Sequence, residues 1–302
     1  MNIGFNSVKD KLIWRRERGI YALAKQETKS EIDLAWLSDC KARVNAKEIA
    51  ITNQKNPDQV ISQVLQSGVK HLVQEAGLFL KDELDAALHM MRAPQDYLDY
   101  PLSTLFPSSG LDKSRESELV QFEYKFNSNK QKSDILDAFE KFFKSFSDSE
   151  SFLNDLSLVI DELFTNAMYD APENNLENTA SGKRRDGQEF HLPDGKFGRI
   201  FAGKHKNCLA IGCEDPFGTL NVKKILERIS LCLTLGADKM IRFGEGGAGI
   251  GSYLLFMAST SLYIGVRHQQ KTVICSLIPI GLGDRRRNEM PKNIHYCELP
   301  EE

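Results

Sequence analysis

The chain has 302 residues, 41% of them hydrophobic and 27% charged, an ordinary globular composition with room for two domains. With 39 basic against 42 acidic side chains the formal net charge is −3, so no global basic field suits it to nucleic acid. No apolar run approaches the roughly 18–20 residues of a membrane span, and the N-terminus MNIGFNSVKD lacks a basic-then-apolar leader, so a cytoplasmic protein with no membrane partner is expected.

Residues 1–93 alternate strand-like with helical runs, which predicts a parallel sheet with crossover helices. Strands are expected at 2–5, 20–24, 32–37, 48–52 and 70–74. Between the last two, Asn56 has the chemistry of a helix cap, Pro57 suits the first helical position and Gly68 suits a stop. Thr52 and the stretch QSGVKHLVQ resemble the last third of a response-regulator receiver domain. That family's acidic pair is here Asn6 and Ser7, its lysine is Gln74, and its phosphoacceptor position is Ser38 or Asp39. The resemblance therefore implies a receiver-like domain that does not take phosphate. Residues 94–117 hold three prolines and five serines and read as a linker.

From 118 onward the apolar alternation of ELVQFEYKF predicts a strand, and Ile135, Leu136, Phe139, Phe142 and Phe143 predict a helix. Ser147 and Glu150 have capping-box spacing ahead of a second helix, 155–172, which Pro172 should end. Its stripe of Leu156, Val159, Ile160, Leu163, Phe164, Ala167 and Met168 is flanked by Glu162 and Asn166, one turn apart. A carboxylate and a carboxamide so placed suit water orientation and divalent-cation binding, although the pair also fits an ordinary core boundary. A loop over 173–195 and strands at 196–203 and 207–213 follow, the second strand running into Asp215-Pro216-Phe217-Gly218. After a helix at 221–235 comes GEGGAGIG, 244–251, opening another helix, a setting in which backbone amides approach phosphates. Two final strands make a hairpin, and 283–302 reads as a solvated tail. The six cysteines, at 40, 208, 213, 232, 275 and 297, lack C-x-x-C or zinc-ligand spacing and read as reduced packing residues.

A helix with E-L-x-x-N-A, a strand end with D-x-x-G and a glycine cluster opening a helix occur here in one order. Together they resemble the gyrase/histidine-kinase-like (GHKL) ATP-binding superfamily over about 118–280, nearest in pattern to the anti-sigma-factor serine kinases. The resemblance implies an α/β protein: a Bergerat-fold domain at 118–282, a mixed sheet with helices on one face, behind the receiver-like domain. It implies ATP and magnesium as cofactors, Glu162 as general base and Asn166 as magnesium ligand. Asp215 and Gly218 would bind adenine, and Gly247, Gly249 and Gly251 the phosphates. Lys239 and Arg242 are candidate phosphate contacts read from the sequence itself. No histidine has the acidic neighbour of a sensor-kinase phosphoacceptor. The implied function is a signalling kinase or ATPase acting on a separate protein partner, regulator or phosphoacceptor, with a homodimer among the options. The alternative is a catalytically silent module in which ATP gates partner binding, and a third reading, an NAD-binding enzyme, is disfavoured because no acid occurs between Glu245 and Asp284.

Overall fold

A computed structural model of the chain describes residues 13–16, 19–25, 48–52, 56–74, 79–106, 119–173, 188–236 and 250–301. The strands expected at 2–5 and 32–37, the receiver positions Asn6, Ser7, Ser38 and Asp39, and Cys40 lie outside these.

The architecture is mixed α/β. β1 (Ile13–Arg16) and β2 (Gly19–Lys25) pair antiparallel, and β2, β3 (Glu48–Thr52) and β4 (His71–Gln74) then run parallel. α1 (Pro57–Ser67) connects β3 to β4 and starts and stops where local chemistry requires. Asn56 accepts the Asp58 amide at 3.0 Å, Pro57 is its first residue, and Gly68 closes it at φ +67°. α2 (Leu80–Arg92), α3 (Pro94–Asp99) and α4 (Pro101–Leu105) follow. Then come β5 (Val120–Phe126), α5 (Lys132–Lys144), α6 (Glu150–Thr165), β6 (Gly198–His205), β7 (Cys208–Asp215), α7 (Val222–Leu235) and α8 (Ile250–Ala258). The chain ends with β8 (Ser261–Arg267), β9 (Lys271–Pro279), α9 (Asp284–Asn288) and β10 (Asn293–Leu299).

All ten strands join one sheet, ordered β1-β2-β3-β4-β10-β8-β9-β7-β6-β5. The C-terminal residues therefore overturn the solvated-tail expectation. β10 lies in the sheet interior, antiparallel to β4 and parallel to β8, with Asn293, Ile294 and His295 fully buried. The charged runs DRRRNE and ELPEE on either side concealed it, and its two buried polar side chains broke the apolar pattern. Both are satisfied by tertiary partners. Asn293 donates to the Glu83 carboxyl and accepts the Gln74 amide at 2.7 Å, Ser261 also donates to Glu83, and His295 lies 3.4 Å from it.

The linker expectation is corrected over 94–105. Its prolines sit at the first positions of α3 and α4, where a missing amide costs nothing. Tyr97, Leu98 and Leu105 are buried against Phe201, Ala210, Tyr263 and Val273. These helices and α2 cover one face of the sheet, while α1, α5, α6, α7 and α8 cover the other through alternate residues such as Ile200, Leu209, Ile211 and Ile264. The layers are thus helix, sheet, helix, and not helices on one face. Strands β7, β8 and β9 are buried at nearly every position because both their faces are covered. All five described cysteines are buried and unpaired by disulfide, and burial pushes the Cys213 and Cys275 thiols up, as suits packing residues.

Burial pushes the Glu83 carboxyl up to about 8, so it is mostly neutral at pH 7, while burial depresses its neighbour His295 to about 3. Below about pH 4.5 Glu83 is protonated in folded and unfolded chains alike and its contribution is complete. From there to about pH 8 only the fold keeps the proton, so stability falls as pH rises. Glu83→Gln removes this titration. Urea midpoints measured from pH 5 to 8 should show the wild type losing stability relative to the variant, and parallel curves would contradict the assignment.

Candidate functional site

The site is built from the ends of α6 and β7. Ser149, not Ser147, caps α6 by accepting the Phe152 amide at 3.4 Å, while Ser147 accepts the Ser149 amide. Phe152, Leu153, Leu156, Val159, Ile160, Leu163 and Phe164 pack the buried stripe. Two ties from outside set the helix's position: Lys132 pairs with Asp161, and the buried Arg287 of α9 donates to Asp155 at 2.9 Å and Ser151 at 3.1 Å.

Glu162 and Asn166 emerge half-buried beside that stripe. At Asn166 the helix widens: Asn166–Asp170 is a π turn closed by the Ala171 amide on the Asn166 carbonyl. The chain stays helical through Ala171–Glu173, so Pro172 does not end it as expected. A proline ring crowds the carbonyl one turn back, and a wider turn relieves that contact. The wider turn places Asn166, Ala167, Asp170 and Ala171 on one wall of a cavity.

β7 delivers the second half. Asp215 is buried at its end, and its Oδ1 accepts the amides of Phe217 at 2.9 Å and Gly218 at 3.3 Å, which closes the turn around Pro216. Burial raises its pKa to about 6 against the opposing effect of these amides. Gly218 is at φ +62°, and a Cβ there would lie 2.0 Å from the Arg267 carbonyl oxygen, so no other residue lets this turn seat on the β8–β9 hairpin. On the outward side, Glu214 holds Arg199 at 2.7 Å and Lys271 at 3.2 Å, which fixes the strand end. Thr219, which sequence reasoning missed, ties the two halves together by donating to the Ala171 carbonyl at 2.9 Å.

Asn166 and Asp215 thus face one cavity of about 290 Å³, near the lower end for small-molecule sites. Leu163, Cys213, Ile225 and Ile274 supply apolar surface, Ser252 enters from α8, and Lys224 and Arg228 from α7. Thr272, opposite Asp215 in register, buries a hydroxyl that makes no hydrogen bond of normal geometry yet stands close enough to favour the Asp215 carboxylate. A buried acid beside such a hydroxyl can hold a ring amine, and a carboxamide can give its oxygen to a divalent cation. Among the described residues no group of three His, Cys, Asp or Glu side chains could hold a metal, so a cation here would need ligand oxygens as well.

The other predicted residues are distributed as follows. Glu162 does not line the cavity but abuts the first turn of α8, where a Cβ on Gly251 would fall 1.7 Å from its carboxyl. Far from the N-terminal end of α8, the buried Lys292 donates to the Met257 and Ser259 carbonyls, both at 2.7 Å, and anchors the helix. Gly218 lines a neighbouring cavity of about 620 Å³ between α1 and α7, which contains neither Asn166 nor Asp215. Gly247, Gly249, Lys239 and Arg242 lie outside the described residues.

No protein-family model matches the chain, and no curated protein does. Among solved structures, a chain of the SiaB–SiaC complex from Pseudomonas aeruginosa is similar at a TM-score of 0.37 and 11% identity, over 54% of this chain and 91% of that one. So loose a likeness carries no argument about function. Among the described residues no helix is long and apolar enough to cross a membrane.

Gly251→Ala should turn the Glu162 side chain away without unfolding α8. Stability is expected to stay within about 1 kcal/mol, because alanine's helix propensity offsets the contact. Glu162→Ala with Gly251→Ala should then be more stable than Glu162→Ala alone, since the atoms in the way are gone. Urea midpoints of the three variants check both expectations.

Proposed function

We propose that the chain is an ATP-binding signalling protein of the GHKL type that acts as a kinase on a separate protein partner. The observation that supports this reading best is the convergence of Asn166 and Asp215, from different elements, on one partly apolar cavity. The three sequence motifs imply those two residues as magnesium and adenine contacts, and nothing in their sequence positions requires that they share a wall.

In this reading Asp215 accepts the ring amine through Oδ2, since its Oδ1 already holds the turn. Asn166 would hold magnesium through its side-chain oxygen, and the remaining oxygens would have to come from the nucleotide. Bound magnesium–ATP supplies the electrophilic phosphorus. Glu162 is the group that takes the proton from an attacking hydroxyl, whether of a partner's side chain or of water. Thr219 and Gly218 are positioning residues that hold the adenine turn against the π turn and the hairpin.

One observation favours the silent-module reading. The Glu162 carboxyl packs against α8 beside Gly251 and not on the cavity wall. Titration with ATP and transfer of label from ATP in magnesium, with and without cell extract, separate the two. For the kinase, Glu162→Ala should retain ATP affinity and lose label transfer by about 10²–10⁴-fold. Unchanged transfer would leave only the binding module. Should Asp215→Asn and Asn166→Ala both bind ATP as tightly as the wild type, the nucleotide reading itself fails.

The raised Asp215 pKa adds a pH signature. An amine donor needs the ionised acid, so ATP affinity should fall as pH drops below about 6, the value to which burial lifts this carboxyl. A binding titration from pH 8 to 5 with adenosine, which carries no titrating phosphate, checks this, with Asp215→Asn expected to show no such dependence.

A further inference from the structure

The remaining charges of the cavity point to a subsite that the sequence motifs do not contain. On α7, Lys223 and Glu227 are an opposite-charge pair one turn apart, 3.7 Å from each other. The next register of the same helix, Lys224 and Arg228, is a like-charge pair one turn apart, and both side chains line the cavity. Like charges at this spacing repel and weaken a helix slightly, and an anion lying against them would relieve that repulsion. Elsewhere Arg199 holds Glu214 and Glu123, Lys271 holds Glu214, and Arg287 holds Asp155. Among the described residues the Lys224 and Arg228 side chains have neither an ion pair nor a hydrogen bond. Two carboxylates, Asp170 and Asp215, line the same cavity, and Asp215 is committed to its own turn by two amide bonds.

We infer that Lys224 and Arg228 form the phosphate subsite of this cavity. The ligand's ring end lies at Asp215 and Thr272, and its anionic end lies against α7. The inference rests on the nucleotide reading of the cavity and deepens it, because it assigns the phosphate contacts to a helix of known position and not to Lys239 and Arg242. Two cations facing the cavity accept a di- or triphosphate and gain little from a nucleoside.

The test is equilibrium titration of the full chain with ATP, ADP and adenosine at low and moderate salt. Lys224→Gln with Arg228→Gln should weaken ATP binding by about tenfold or more at low salt, flatten its salt dependence and leave adenosine affinity unchanged. Lys224→Arg with Arg228→Lys should keep ATP affinity within about twofold, which a purely structural role would not explain. With no ligand present, the neutral pair should melt no lower than the wild type, since a repulsion has been removed. The subsite is overturned if the neutral pair binds ATP as the wild type does, or if it loses adenosine and ATP equally. If the wild type binds neither ATP nor adenosine, the nucleotide reading falls and the subsite with it. If ATP binds and only Asp215→Asn weakens it, the cavity reading stands and the subsite alone is lost.

Discussion

The pairing of β10 between β4 and β8 is the contact on which the rest of the molecule depends. Without it the four N-terminal strands would share no sheet with the six that carry the site. The pairing is secured by a buried polar cluster: Glu83 from α2, Ser261 from β8, and Asn293 and His295 from β10, with the Gln74 amide of β4 held by Asn293. Such a cluster specifies register strongly. A slip of one residue would point Asn293 and His295 into the opposite layer and strand the Glu83 carboxyl without donors.

Joining the two halves in this way brings α1 against α7. Ser230 and Thr234 of α7 both donate to the Asp58 carboxylate near the start of α1, at 3.2 and 3.3 Å. The side of α7 that carries Asn221, Lys224, Ile225 and Arg228 lines the smaller cavity, while Val222, Lys223 and Leu226 line the larger one. One helix therefore forms a wall of the candidate site and the seat of the N-terminal unit. The cavities share Thr219, Leu220 and Asn221, so the turn after Asp215 borders both.

The site residues differ in what holds them. Asp215 is over-determined: its turn amides, the glycine that seats the turn, the ion pairs of Glu214 and the Thr219 bond to Ala171 all act on the same few residues. Asn166 is set by the register of α6 and the π turn that begins at it. Glu162 is set by contact with α8, so its position follows whatever α8 does. The residues proposed to bind nucleotide are thus the more heavily restrained ones, and the proposed proton acceptor is placed by a helix–helix contact.

Local physics was legible in the sequence. Asn56, Pro57 and Gly68 bound α1 because capping and proline geometry act over a few residues, and the stripe on α6 follows from helical period alone. The order of Glu162, Asn166, Asp215 and Gly251 also named residues that the fold gathers into one neighbourhood. What sequence could not supply depends on partners distant along the chain. Asn293 and His295 look like solvent-facing residues until Glu83 arrives from another element. Pro94 and Pro101 look like breakers until the uncovered sheet face makes two short helices worth forming. Lys224 and Arg228 look like ordinary surface charge until α7 is laid along a cavity. In each case the sequence by itself settled the element or its chemistry, while tertiary structure decided which face was buried and which group stood opposite. Burial and charge pairing are properties of neighbours in space, and periodicity along a chain carries no record of them.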